Sequence, residues 1–298
     1  MKIRTSNSNK ESHKQVRRSQ GIFPYLLGGI ALSICFIALL GAIMRYASPS
    51  KYVDSGSIAQ NFNIVETEGG TYYGEVVDSI YEGLGNFEYV AGGTYSGSFS
   101  DSERSGEGTF TWENGDHFTG MWEGDQLKEG TYTFSNGDSY TGTFVNSVYE
   151  DGTYTLGEKC TAYGYVSFQA EIKSGRVTSL DYQTTDSVSY KGEINGHASI
   201  IYASGNTYDG NVKEGARNGN GTFAWKSAGK TVATYSGAWS NGVMNGRGKY
   251  YFSAQAYPYL DANFVNGKPD GTATYYKESG NTFETTWSNG KCTKVKET

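Results

Sequence analysis

Aromatic residues and glycines alternate with serines and threonines at a spacing of two along most of this chain. The clearest stretch reads TYSGSF at 94–99 and GEGTFTW at 106–112. Because residues i and i+2 of a β-strand point to the same face, the alternation predicts strands with one aromatic and glycine face and one hydroxyl face. We expect the loop 101–105 to close a hairpin inside this copy, and Asn114-Gly115 to form a tight turn to the next copy.

The same unit recurs at intervals of 18 to 28 residues, which indicates a stacked repeat architecture. Three copies are degraded, because alanine or threonine replaces the glycine that follows their first aromatic residue. The pattern predicts an all-β fold, an elongated single-sheet antiparallel meander of β-hairpins. The first aromatic residues of the copies are Tyr72, Tyr95, Phe118, Tyr140, Phe168, Tyr190, Tyr208, Tyr235, Tyr259 and Phe283, of which Phe168, Tyr259 and Phe283 open the degraded copies.

Three short segments of the regular copies resemble the MORN (membrane occupation and recognition nexus) repeat. They stand here as YSGAW at 235–239, GRGKY at 246–250 and Asn136-Gly137, and the resemblance covers residues 70–292. It implies the hairpin fold but no single function, since MORN arrays serve many host proteins. The residues that carry the repeat are Tyr72, Gly74, Tyr95, Gly97, Gly108, Phe110, Trp112, Gly120, Gly142, Tyr208, Gly210, Gly237 and Gly248.

Residues 22–44 form an uncharged stretch rich in leucine, isoleucine, alanine and glycine. About 20 apolar residues span a bilayer as a helix, so this stretch predicts one transmembrane α-helix before the repeats. Most basic residues of 1–46 precede it, and the positive-inside rule then predicts a single-pass protein of a bacterial cell membrane, with a cytoplasmic N-terminus and extracytoplasmic repeats. A cleaved signal peptide is the alternative, although the apolar run is long for one.

These expectations divide the chain into regions of different charge. Residues 1–46 hold seven basic residues and one acidic residue, a net charge of +6, which leaves 25 − 7 = 18 basic and 31 − 1 = 30 acidic residues, or −12, for the remainder. An array of that charge is a poor partner for nucleic acid. The predicted regions are a basic cytoplasmic tail 1–21, the transmembrane helix 22–44, a linker 45–69, the repeat array 70–292 with weak copies at 158–206 and 259–292, and a C-terminal tail 293–298.

No grouping of residues along the chain predicts catalysis. The three histidines, His13, His117 and His197, stand alone, and no spacing typical of a metal site or a phosphate-binding loop occurs. The many glycine pairs belong to the repeat. We therefore expect no catalytic residues, no metal and no cofactor.

The leading hypothesis is a membrane-tethered, non-catalytic binding or scaffold protein that contacts an envelope partner, either a protein or a cell-wall glycan, and contacts the lipid bilayer through 22–44. One alternative is a structural spacer or a strut that self-associates through its free sheet edges. Another is a cytoplasmic docking scaffold, if the topology is reversed. Aromatic rings with a polar tip suit binding surfaces, and the candidate rings from the most regular copies are Phe118, Trp122, Tyr140, Phe144, Tyr235 and Trp239.

Overall fold

The structure is a computed structural model that describes residues 63–298. These residues form one antiparallel sheet of 21 strands, interrupted along the chain by the 3-10 segment Glu158–Tyr163. The strands are β1 Asn63–Thr67, β2 Gly70–Val77, β3 Ile80–Tyr89, β4 Thr94–Ser100, β5 Glu103–Thr111, β6 His117–Glu123, β7 Gln126–Thr133, β8 Ser139–Val145, β9 Val148–Thr155, β10 Tyr165–Lys173, β11 Arg176–Thr184, β12 Ser189–Glu193, β13 Gly196–Ile201, β14 Thr207–Lys213, β15 Ala216–Ser227, β16 Lys230–Ser240, β17 Val243–Tyr251, β18 Tyr259–Val265, β19 Lys268–Tyr276, β20 Thr282–Ser288 and β21 Lys291–Glu297.

The described residues fall into two compact units. The first unit comprises 63–160 and 169–177, and the second comprises 161–168 and 178–298. In the first unit β1 to β9 pair in chain order, and β9 pairs with the end of β10. In the second unit β11 to β21 pair in chain order. This order is the meander of hairpins that the sequence predicts.

Glycines face one another across neighbouring strands and form a continuous glycine row in each unit. The row follows from the repeat, because each hairpin places a glycine at the same height on both of its strands. In the first unit it comprises Gly74, Gly85, Gly97, Gly108, Gly120, Gly130, Gly142 and Gly152. In the second unit it comprises Gly192, Ala198, Gly210, Gly221, Gly237, Gly248 and Ala262, so alanine replaces glycine twice.

A second row of paired residues, the aromatic row, lies two positions before or after the glycines on the same face. Its members in the regular copies include Tyr72, Phe87, Tyr95, Phe110, Phe118, Tyr132, Tyr140, Tyr154, Tyr208, Phe223 and Tyr235. These rings are buried, which makes the aromatic row the core of the sheet. A single layer hides its apolar side chains here because each ring is covered by its neighbours and lies against glycine backbone.

The tyrosine that opens a copy lies across the glycine pair of its own hairpin. A Cβ atom at Gly97 would stand 2.5 Å from the Tyr95 hydroxyl and 2.4 Å from the Cα of Gly108. The bare glycines let the ring reach past them, and the Tyr95 hydroxyl donates a hydrogen bond to the carbonyl of Ser98 at 3.0 Å. The same bond, from tyrosine to the carbonyl three residues later, is made by Tyr72, Tyr140, Tyr190, Tyr208 and Tyr235.

The tight turn and the longer connection occupy each other's predicted places. The hairpin inside the copy closes at Asp101 and Ser102, whose φ angles are 51° and 60°, and strands β4 and β5 flank them directly. Positive φ at both central residues is the tight turn that suits a two-stranded hairpin. The longer connection is the one between copies, residues 112–116, in which Gly115 supplies the positive φ of 88°.

Two degraded copies have a different register from the predicted one. Leu260, not Tyr259, occupies the aromatic row and pairs with Tyr250, so Tyr259 lies on the opposite face. In β10 it is Ala170 that pairs with Tyr154 of the row, and Phe168 lies two residues earlier. The prediction failed at these copies because it took the nearest aromatic residue as the repeat marker where an aliphatic residue had replaced it.

The predicted transmembrane helix at 22–44 lies outside the described residues. Within 63–298 no helix is long and apolar enough to cross a membrane; the 3-10 segment has six residues, where a span needs about 20. The fold prediction is corrected accordingly: the structure supports the all-β meander and gives no support to a transmembrane α-helix before it. The single-pass localisation, with a cytoplasmic N-terminus and extracytoplasmic repeats, is corrected with it, because it depended on that helix.

Replacing Gly97 with Ala should lower the free energy of unfolding by about 2 kcal/mol or more, since the new methyl group collides with backbone and with the Tyr95 ring. Urea denaturation followed by circular dichroism measures the change. Ser96→Ala is the matched control, because Ser96 is the exposed neighbour on the opposite face and its loss should cost less than about 0.5 kcal/mol. Equal effects of the two substitutions would contradict the packing of the Tyr95 ring across Gly97 and Gly108.

Candidate binding surfaces

The six aromatic residues that the sequence offers as a binding surface are all in the core. Their side chains are at most 5% exposed, and they pack edge to face against one another. The indole N–H groups of Trp122 and Trp239 donate inward, to the carbonyls of Gly108 and Gly221. In this structure no partner has access to the ring faces of Phe118, Trp122, Tyr140, Phe144, Tyr235 or Trp239.

Aspartates in the connections between copies join one hairpin to the next. Asp116 accepts a hydrogen bond from the Tyr132 hydroxyl at 2.8 Å and from the backbone N–H of Ser135 at 2.8 Å. One copy later Asp138 accepts from the Tyr154 hydroxyl at 2.9 Å. Both carboxylates are buried, and their hydrogen bonds hold neighbouring copies together.

Arg104 is a charged residue inside the core of the first unit. Its guanidinium carbon lies 4.7 Å from the ring centroid of Trp122 and 5.4 Å from that of Phe110. Its Nε donates to Oδ1 of Asp125 at 2.8 Å, and its side chain is 1% exposed. A buried cation is stable in such a place because a carboxylate and the negative faces of the rings surround it. The repeat pattern of the sequence does not predict this pair.

Four tyrosines form a cluster on the face of the sheet opposite the aromatic row. Tyr251, Tyr259 and Tyr276 are in register on β17, β18 and β19. Tyr257, in the loop before β18, lies with its ring centroid 5.4 Å from that of Tyr259. We call these four residues the outer tyrosine patch.

The rings of the outer tyrosine patch are mutually supported and reach solvent. Tyr259 and Tyr276 stack with centroids 4.3 Å apart and planes at 12°, and Tyr251 lies 5.2 Å from Tyr259. The ammonium group of Lys249 stands 5.2 Å from the Tyr259 centroid, within range of a cation–π contact. Tyr257 is 42% exposed, and the other three are partly exposed.

On the corresponding face of the first unit, Thr109 and Thr119 share a hydrogen bond of 2.9 Å, and Thr111 and His117 stand at the register of Tyr251 and Tyr259. The sequence does contain a signal for the tyrosines that replace them. The chain reads YYF at 250–252 and YY at 275–276, and adjacent residues of a strand cannot share a face. One ring of each pair must therefore lie among the hydroxyl groups.

Comparison with known proteins supports the repeat. The family model of the MORN repeat matches residues 95–117, 129–139, 208–229, 235–255 and 261–282. The chain therefore carries MORN repeats in these five segments. They cover most of the hairpins β4–β5, β14–β15 and β16–β17, in which the tyrosine lies across paired glycines. No match was found among curated proteins.

Among solved structures, the chain is similar to the wild-type TCP10 domain of Danio rerio CPAP in complex with a peptide of STIL. The identity is 10%, the alignment covers 73% of this chain and 96% of that one, and the TM-score is 0.39. It is also similar to the SAS-4 (dCPAP) TCP domain of Drosophila melanogaster in complex with a proline-rich motif of Ana2, at 10% identity, 64% and 83% coverage and a TM-score of 0.22. At these scores the likenesses carry no information about what this chain binds.

Alkaline titration should unfold the array. Burial raises the pKa of Tyr81 and Tyr235 from the ordinary 10.0 to about 12. The unfolded chain therefore loses these protons first, so their contribution to stability is complete below about pH 10 and is lost as the pH rises towards 12. We expect the circular dichroism of the sheet and the absorbance of tyrosinate to change together. If all tyrosines ionise while the circular dichroism of the sheet is unchanged, these hydroxyl groups are not buried.

Replacing Asp125 with Ala should lower the free energy of unfolding by about 3–5 kcal/mol, because it removes the carboxylate from a buried ion pair. Chemical denaturation measures the difference. The matched control is Asp181→Ala, whose ion pair with Lys191 is exposed on both sides and should contribute less than about 1 kcal/mol. Similar losses for the two variants would show that the Arg104 pair does not stabilise the core.

Proposed function

We propose that this chain is a non-catalytic binding scaffold that docks a protein partner on the outer tyrosine patch. MORN repeats suggest a binding or scaffold role, and they leave open which surface is used. The observation that carries the proposal is the cluster of stacked, partly exposed tyrosines on a face that bears hydroxyl groups in other copies. The protein's own packing accounts for the buried rings of the aromatic row and does not account for these.

Tyrosine suits such a surface because it presents a large apolar ring and a polar tip with few rotatable bonds. Tyrosine and arginine are enriched at the centres of protein interfaces. In the outer tyrosine patch the Tyr259 ring already stacks on Tyr276, so little side-chain freedom remains to be lost when a partner binds.

Charges beside the patch favour a protein over a neutral glycan. Lys249 lies over the Tyr259 ring, and Arg247, whose side chain is 68% exposed, donates from Nε to Asp261 at 2.8 Å. Both signs of charge thus border the rings, as in the polar rim of a protein interface. A neutral sugar would use the rings but would offer no opposite charge to the ammonium group of Lys249.

Self-association by strand addition has less support at the C-terminal strand. All seven residues of β21 are exposed, and Lys291, Lys294 and Lys296 are among them. Lysines on an edge strand oppose pairing with a second chain, because like charges would be brought together. Strand β21 is therefore better suited to end the sheet than to pair with a second molecule.

Photo-cross-linking in cells that make the protein naturally tests the proposal. A benzoylphenylalanine in place of Tyr257 should give one discrete protein adduct, and the pair of changes Tyr251→Ser and Tyr276→Ser should reduce that adduct about tenfold or more. The matched control carries the probe at Thr141, an exposed residue of β8 in the first unit, and should give no such adduct.

Three results would contradict the proposal. One is equal labelling from the probes at positions 257 and 141, which would indicate random encounters. Another is an adduct that the two serine substitutions leave unchanged while the sheet stays folded by circular dichroism. The third is an adduct that resists protease and is removed by glycosidase, which would identify a polysaccharide partner instead of a protein.

A further inference from the structure

The second unit contains a cationic site built like the one around Arg104. In the first unit the Arg104 guanidinium carbon lies within 5.9 Å of four ring centroids, and in the second unit Arg217 has four ring neighbours within the same distance. We call these sites the Arg104 cage and the Arg217 cage. The rings correspond one to one: Tyr89 to Tyr202, Tyr95 to Tyr208, Phe110 to Phe223 and Trp122 to Trp239.

The backbone beside the two cages also corresponds. The turn between β6 and β7 brings Asp125 against Arg104, and its N–H donates to the Arg104 carbonyl at 3.2 Å. The turn between β16 and β17 brings Gly242 against Arg217, and its N–H donates to the Arg217 carbonyl at 2.9 Å. In both cages Nη2 of the arginine donates to the carbonyl of the turn residue, at 3.3 Å in the first and 2.6 Å in the second.

The turn residue of the two cages differs: it is Asp125 beside Arg104 and Gly242 beside Arg217. Oδ1 of Asp125 accepts two hydrogen bonds in the Arg104 cage, from Nε at 2.8 Å and from the backbone N–H of Arg104 at 3.0 Å. Gly242 has no side chain, so it offers no carboxylate to the corresponding donors of Arg217. Within the part of the chain that the structure describes, Arg217 forms no ion pair with a carboxylate.

The space that a carboxylate would occupy is open at Gly242. A Cβ atom built there meets a single atom within 4 Å, Nη2 of Arg217 at 3.9 Å. The φ angle of Gly242 is 79°, close to the 63° of Asp125, so the two turns point a side chain the same way. Burial lowers the pKa of Arg217, although the residue stays partly exposed, as expected for a cation that is largely removed from water without a paired anion.

We propose that the Arg217 cage binds a single carboxylate from a partner, in the position that the Asp125 side chain occupies in the Arg104 cage. A carboxylate oxygen there accepts two hydrogen bonds from Arg217. The bond from the charged side chain comes from Nε, and the other comes from the backbone N–H. The residues outside 1–46 carry a net charge of −12, which repels strongly acidic segments. The ligand that fits is one aspartate, one glutamate or a chain terminus in an otherwise neutral segment.

This site lies on the inner face of the sheet, with the aromatic row, whereas the outer tyrosine patch lies on the other face. Val212 pairs with Arg217 and is buried, as Phe99 is beside Arg104. The proposal therefore stands or fails independently of the proposed docking surface.

Acetate is the probe for this site, and the full chain is the sample. Nuclear magnetic resonance of the arginine side-chain N–H groups should show the Arg217 Nε–H signal moving saturably as sodium acetate is added. The Arg104 Nε–H signal is the internal control and should stay in place, because Asp125 already holds it. Sodium chloride at equal ionic strength controls for screening.

Two substitutions at one position separate the carboxylate from the space it occupies. In Gly242→Asp the protein supplies its own carboxylate, as it does at Asp125, so acetate binding should weaken about tenfold or more. Gly242→Ala imposes the same strain at positive φ without a carboxylate and should keep the response to acetate. The proposal is overturned if the Arg217 signal moves no further with acetate than with chloride, if Arg104 responds equally, or if the Asp and Ala variants respond alike.

Discussion

The packing of a tyrosine ring across two facing glycines is the contact on which the rest of this sheet depends. It lets the ring reach the carbonyl three residues ahead, so the hydroxyl is satisfied inside the layer, as between Tyr95 and Ser98. In the regular copies it also removes the side chains that would separate neighbouring rings at that height. A single sheet can then bury aromatic residues without a second layer, because backbone and adjacent rings supply the cover that helices or another sheet provide elsewhere.

The sequence predicts the regular copies well because their rule is local. Alternation places Tyr95, Gly97 and Phe110 on one face, and the structure has them there. Alternation alone cannot show where an aliphatic residue has replaced an aromatic one. For this reason Tyr259 was predicted in the aromatic row, which Leu260 occupies. The short and long turns were predicted the wrong way round for a related reason. Asp101 and Ser102 adopt positive φ although neither residue is glycine, so the sequence does not mark this tight turn.

The candidate sites were harder to predict than the fold, because they are exceptions to the repeat. The rings that follow the rule most faithfully, such as Phe118 and Tyr235, are fully used by the protein's own packing. Both proposed binding surfaces lie where a copy departs from the repeat pattern. The outer tyrosine patch needs additional rings beside those of the core, and the Arg217 cage needs the loss of one aspartate. The second difference becomes visible only when two distant hairpins are compared in three dimensions.

The glycine row also bears on how such a chain changes length during evolution. Every regular hairpin presents the same profile to the hairpin before it and to the one after it, with glycine facing glycine and ring facing ring. A duplicated segment of 22 or 23 residues, the spacing between successive copies from Tyr72 to Tyr140, would find complementary neighbours on both sides at once. Unequal recombination can therefore add or remove whole hairpins while each remaining core contact is kept, and natural variants of this chain are expected to differ by complete copies.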